Sequence, residues 1–311
     1  MHATDGSTRV HDVLEHIRMV PDQYREFTVS APDLLRLYRI GPPLLDQLLD
    51  GGLPHDGSGN DRRFDPLDAE NIGLGLSIGP RWRIMRGWSE SLVRHDHLGT
   101  RSGYRVNLTA ACPAPGHHGP CDFALDPALT ADLAPDELCR VEPGSYAWTL
   151  APARDPFYFP AQFNELINAA TKLRFHLLPQ ELTSDLEFLR TTGLADCKLA
   201  TAYLVQRSRE LGINSRPRGG LFVSVPFPVW HGWVELHTDS GWYPADPFLL
   251  GALTRWGITD AAQWPPKRST HGLVLPVDSS RLRVTCRAVE PATSRLRIAG
   301  VSYLKPHRRP T

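Results

Sequence analysis

Between Gly193 and Pro247 the chain changes its apolar period once, and that change limits what it can fold into. Asp196 is placed to cap a helix beginning at Cys197. Ala200, Tyr203/Leu204, Arg207 and Leu211 recur at helical spacing, and Gly212 stands where a helix-ending glycine belongs. Leu221–Val225, Val229–His237 and Gly241–Ala245 then read as β runs, with Thr238-Asp239-Ser240-Gly241 as a hairpin turn. Helix first and consecutive strands afterwards is an α+β order, not the alternation of a parallel α/β sheet.

The chain is long enough for two domains or three small ones, at 311 residues. Hydrophobic residues make up 41% and charged residues 22%, which excludes disorder of the whole chain. Lys+Arg and Asp+Glu are balanced at 34 each, so no bulk charge draws the protein to nucleic acid or to an anionic membrane. No apolar run approaches the roughly 20 residues of a membrane span, and the first residues lack a signal-peptide pattern. A soluble, cytoplasmic protein is expected. Cys112, Cys121, Cys139, Cys197 and Cys286 are an odd number in a long chain. That argues for reduced thiols, one of which can work, over a disulfide framework.

Punctuation by Pro and Gly suggests a small helical domain at 1–95, a β-rich connector at 96–150 and a catalytic domain at 151–311. Within the first, Val10–Val20 is a helical pattern. Ala31–Tyr38 is a helix broken by Gly41-Pro42-Pro43, and Leu44–Leu49 a second helix ending at Gly51-Gly52. A loop at His55–Asp61 leads to Arg62-Arg63-Phe64 and an Asp65-capped helix. Over 31–75 this order resembles the winged helix-turn-helix of MerR-like regulators. The resemblance implies a DNA reader, but the charge opposes one. Residues 1–95 carry 11 Arg against 14 Asp+Glu, and the expected recognition helix, Pro43–Leu49, offers Asp46 and no basic residue. Packing or binding of a partner other than DNA is the expectation for this segment.

The chemistry is expected downstream. A thiol at a helix start faces the positive end of the helix dipole and unsatisfied N–H groups, which stabilise a thiolate. Pairing the strands that carry His231 and lead to Asp246 sets a carboxylate beside an imidazole. That arrangement orients the ring and stabilises its cation.

Four short motifs stand in order: Ala195-Asp196-Cys197, Leu211-Gly212-Ile213-Asn214-Ser215-Arg216, His231-Gly232-Trp233-Val234-Glu235 and Trp242-Tyr243-Pro244-Ala245-Asp246-Pro247. They resemble the transglutaminase-like superfamily, whose fold is related to papain, over about 151–260. Asn214-Ser215 replaces Pro-Ala, and Gly232 replaces Ala; neither removes a chemical group. The helical stretch Pro160–Leu173 also fits. The resemblance implies a papain-like domain in which Cys197 attacks an acyl carbonyl, His231 is base and then acid, and Asp246 orients His231. It also implies an oxyanion hole from the Cys197 N–H and an upstream donor, for which Gln162 is the candidate.

Trp230 and Trp233 are candidate substrate-wall residues, and Glu235 reads as structural. The expected reaction is acyl transfer through a Cys197 thioester. The donor would be a carrier-protein thioester or a glutamine or peptide amide, and an amine acceptor would give an amide or isopeptide bond, in small-molecule biosynthesis among other settings. The alternatives are a cysteine peptidase or amidase, a non-catalytic regulator that uses 31–95 on DNA, and a partner-binding pseudoenzyme. No cofactor, metal or membrane is expected. Cys112, His117, His118 and Cys121 bring two Cys and two His together, but their spacing matches no ordinary zinc finger, and a Pro/Gly-rich loop is the preferred reading.

Overall fold

The structure is a computed structural model describing residues 3–97, 103–113, 116, 121–125, 138–150, 155–226, 228–276, 283–286 and 292–304. Helices and antiparallel sheets share the chain in an α+β architecture. Contacts divide it into two compact units that interleave along the sequence. The first comprises Met1–Ser89, Phe159–Pro217 and Ala245–Arg268, and the second Glu90–Tyr158, Arg218–Pro244 and Ser269–Thr311.

The helices are α1 (Ala3–Arg18), α2 (Pro42–Asp50), α3 (Pro66–Leu76), α4 (Gly79–His97), α5 (Asn164–Lys172), α6 (Leu186–Thr192), α7 (Cys197–Glu210) and α8 (Pro247–Arg255). Strands β1 (Val29–Ser30) and β2 (Arg63–Phe64) pair antiparallel. Leu14, Ile17, Leu34, Ile40, Leu48, Phe64 and Ile72 form one buried cluster, so the segment up to α3 carries a core of its own. α1 approaches α3 closely at Gly75, where a methyl group would collide with Val13 Cγ2. The Arg25 guanidinium is buried and donates to Asp68 Oδ2 and to the Val20 carbonyl, both at 2.8 Å, which satisfies a charge that burial would otherwise penalise.

The expected helix over Ala31–Tyr38 is present in part. Ser30 Oγ caps a single turn, Ala31–Asp33, and the chain continues as a π-helical turn over Leu34–Tyr38. Arg39, at φ 66°, then ends it. Asp65 caps α3 through the N–H groups of Leu67 and Asp68, at 2.7 and 3.0 Å, as its position before Pro66 suggests.

Strands β3 (Tyr104–Ala110), β4 (Phe123–Leu125), β5 (Leu138–Glu142) and β6 (Ser145–Leu150) come next in the chain. The short strands β7 (Arg174–Phe175) and β8 (Leu194–Ala195) form a parallel pair with Arg174 opposite Leu194 and Phe175 opposite Ala195. They are followed by β9 (Ser215–Phe222), β10 (Val229–Thr238), β11 (Gly241–Ala245), β12 (Val274–Leu275), β13 (Arg283–Cys286) and β14 (Ala292–Tyr303). A six-stranded antiparallel sheet has the order β4-β13-β14-β3-β6-β5, so the last strand of the chain is hydrogen-bonded to the first of this group. A four-stranded sheet has the order β11-β10-β9-β12. In the first unit, α5, α7 and α8 pack on one another, and α8 also packs on β7. Among the described residues, no helix is long and apolar enough to cross a membrane.

Candidate functional site

Cys197 opens α7, and the reason is local. Asp196 has extended backbone, its Oδ1 accepts the Leu199 N–H at 2.8 Å, and its carbonyl accepts the Ala200 N–H at 3.0 Å. Cys197 is therefore the first helical residue, half-buried at the end where α7 presents its unpaired N–H groups. Thr201 Oγ1 donates to the Cys197 carbonyl at 2.7 Å, and Lys198 Nζ to Thr183 Oγ1 at 3.1 Å, which fixes the first turn from both sides. Burial pushes the Asp196 carboxyl above the usual carboxylate range, against the pull of the Leu199 and Lys198 N–H groups. At the other end Gly212, at φ 68°, follows the helix as expected.

Cys197 is reached from β8, whose pairing with β7 continues through the His176 N–H to the Ala195 carbonyl at 2.8 Å. That segment is anchored by Asn71 on α3. Asn71 Nδ2 donates to His176 Nε2 and to the Leu177 carbonyl, both at 3.0 Å, and Oδ1 accepts the Leu177 N–H at 2.8 Å. The amide's three links are thus all directed at one neighbouring turn, which leaves His176 neutral and buried; burial lowers its pKa to about 3. Nothing in the local sequence announces this bridge, because Asn71 and His176 are ordinary residues in their own segments.

His231 lies on β10 and is 6% exposed, with the Phe222 ring edge-on at 6.2 Å and the Trp233 ring roughly parallel at 6.4 Å. Of the two candidate wall residues, Trp230 is 46% exposed, and Trp233 is 1% exposed, with its Nε1 buried and without a hydrogen-bond partner among the described residues. The alternation of a strand explains the contrast: Trp230 points to one face, and His231 and Trp233 share the other. Glu235 Oε2 accepts from Arg218 Nε at 3.0 Å, an ion pair that occupies it structurally. The hairpin turn after β10 is held by Thr238 Oγ1, which donates to the Gly241 carbonyl at 3.0 Å.

Asp246 stands one residue past β11 and is 4% exposed. It is the N-cap of α8, with Oδ1 accepting the Leu249 N–H at 3.1 Å and Pro247 at the first helical position. Capping uses one carboxylate oxygen, and a carboxylate has acceptor capacity beyond one bond. Gln162 lies exposed in a single helical turn, Ala161–Phe163, that leads into α5. Cys197, Asp246 and Gln162 belong to the first unit, and His231, Trp230 and Trp233 to the second.

His117 and His118 lie outside the described residues; Cys112 and Cys121 are half-buried. Among the described residues no group of three or more His, Cys, Asp or Glu side chains is placed to hold a metal ion. No family model matches the chain, and no curated protein matches it.

Proposed function

We propose that the protein is a cysteine-dependent acyltransferase with a papain-like, transglutaminase-like catalytic core, working in the cytoplasm. The observation that carries this reading is the start of α7: a half-buried thiol at the first helical position, behind a carboxylate cap and fed by a strand. A buried His on a strand and a buried Asp just after the next strand follow in the order such chemistry uses.

In the proposed reaction His231 takes the Cys197 proton, and the thiolate sulfur bonds to the acyl carbon. The carbonyl π pair moves to oxygen and is held by the Cys197 N–H, with Gln162 as the candidate second donor. As the pair returns, the leaving thiolate or amine departs with the proton from His231. An amine then attacks the Cys197 thioester, His231 takes its proton, and the thiol is restored as the amide forms. Asp246 orients the imidazole and stabilises its cation. The exposed Trp230 is the candidate wall for the acyl group, and the buried Trp233 supports His231 from behind.

Intact-mass spectrometry after incubation with acyl thioesters and with glutamine-type amides tests the reading. One acyl group should be gained on Cys197, discharged by added amine to an amide product. Discharge to water alone would identify a hydrolase. No adduct from either donor class, with iodoacetamide labelling Cys112 or Cys121 ahead of Cys197, would overturn the assignment.

A further inference from the structure

The first unit holds a cavity of about 410 Å³ that the acyl-transfer reading leaves unused. This is the size range of small-molecule sites. α1 contributes Arg9 and Asp12 to its lining, and β7 contributes Arg174 and Phe175. Arg255, the last residue of α8, and Trp256 after it complete the set used here.

The charges on this lining do not balance. Arg9 donates to the Gly75 carbonyl and Ser77 Oγ, both at 2.9 Å. Arg255 donates to the Thr171 and Leu173 carbonyls at 2.7 and 2.6 Å. These neutral acceptors fix both guanidiniums in place without cancelling their charge. Arg174 is exposed, and its guanidinium makes no hydrogen bond or ion pair among the described residues. Burial and the neighbouring Arg174 charge lower the Arg255 pKa to about 10, with no carboxylate opposing them. His16 and His176 also line the cavity. Burial, then Arg174, lowers the first, and burial holds the second at about 3, so neither needs to be counted as a cation near neutrality. Three guanidiniums against the Asp12 carboxylate leave two uncompensated positive charges.

Two excess charges match a phosphate monoester, which carries about −1.5 to −2 near neutral pH, better than they match a carboxylate. Guanidiniums also present the planar donor fork that phosphate oxygens accept. Beside them the lining is aromatic. The Phe175 and Trp256 rings meet edge to face at 5.4 Å, and Trp82 braces Trp256 from 6.3 Å. We propose that this cavity binds a small nucleotide-like phosphate monoester, its phosphoryl oxygens on Arg9, Arg174 and Arg255 and its flat ring against Phe175 and Trp256. The site stands on residues of the first unit and does not depend on the Cys197 chemistry.

Calorimetric titration of the full chain with AMP, inorganic phosphate, adenosine and benzoate separates the contributions. AMP should bind with a sub-millimolar Kd. Phosphate should bind at least about tenfold more weakly, and adenosine and benzoate should show no saturable heat. Arg174→Glu should weaken AMP by about thirtyfold or more while leaving the thermal melt unchanged, since the side chain makes no bond that folding uses. Trp256→Leu should lower the affinity for AMP and leave that for phosphate unaltered. Should Arg174→Glu fail to fold, Arg174→Gln and Arg9→Gln decide, each expected to weaken AMP several-fold. No AMP binding at millimolar concentration, or AMP binding that the arginine replacements leave intact, would overturn the proposal. So would benzoate binding as well as AMP, or duplex DNA displacing AMP.

Discussion

The start of α7 and the arginine-lined cavity grow from the two strands of one parallel pair, yet their electrostatics are opposite. On the β8 side, the Asp196 carboxylate accepts a backbone N–H, and the Cys197 thiol follows it at the helix end where unpaired N–H groups gather. On the β7 side, the Arg9 and Arg255 guanidiniums are held by neutral acceptors and stand with that of Arg174, a field that favours an anion brought in from outside. The difference shows how the choice of backbone donors or acceptors around a charged side chain separates the two situations. In the two proposals, donors gathered at a helix start serve a nucleophile, and acceptors gathered around arginines position cations for a ligand.

The contrast fails most visibly if the thiol is not the working group. Cys197→Ala should remove acyl-adduct formation and turnover completely while leaving the thermal melt in place; surviving turnover would remove the nucleophile from the β8 side. Asp246→Ala is expected to cost about 10²–10⁴ in rate with some loss of stability, since the side chain is both the proposed orienting acid and the α8 cap. Asp246→Asn keeps the cap. If it restores stability but not the rate, the two roles separate, and full activity in either variant would show that Asp246 takes no part.

Asn71→Leu tests what both sides share. It strands the Leu177 N–H and carbonyl in a part-buried setting and should destabilise the protein by about 1–3 kcal/mol in denaturant titrations. A loss within a few tenths would mean that water replaces the amide. His176 gives the pH counterpart. Its folded pKa lies below the ordinary histidine value, so the unfolded chain binds more protons between about pH 6.5 and 3. Its contribution is complete above that window and lost as pH falls through it. The decline should be steeper in the native protein than in His176→Gln, and parallel curves would deny His176 this role. The smallest effect is expected from Asp196→Asn, which preserves the cap but removes a negative charge next to the thiol. Alkylation of Cys197 should then quicken by a few-fold, and a slower reaction would show that the carboxylate assists the thiolate.

Much of the local structure could be read from the chain because its signals are short. Asp65, Asp196 and Gly212 each announce a helix end through groups no more than a few residues away, and the β10–β11 hairpin follows from alternation and its turn. The α+β order followed from the same patterns. The π-helical turn at Leu34–Tyr38 could not be read, because its periodicity is that of any short helix and only its packing widens it. Nor could the cavity. Arg9, Arg174 and Arg255 have no pattern in common, and only the packing of α1, α8 and β7 in one unit makes them neighbours. Of the proposed catalytic residues, the sequence specified the setting of Cys197 fully and that of Asp246 only as a turn. Its role as a helix cap emerges from the geometry after β11.

The interleaving of the two units has a consequence for the order in which the protein is made. The cluster from Leu14 to Ile72 is complete once α3 has been synthesised, so it can collapse early. Asn71 then sits at its edge with no partner but water, because Leu177 is 106 residues further along. At about 5–20 residues per second, that wait is on the order of 5–20 s, and Arg255 arrives later still. The nascent chain thus carries a finished apolar core with an open polar seam. The seam closes only when the β7–β8 segment docks on it, which makes that docking a late, discrete event in biogenesis.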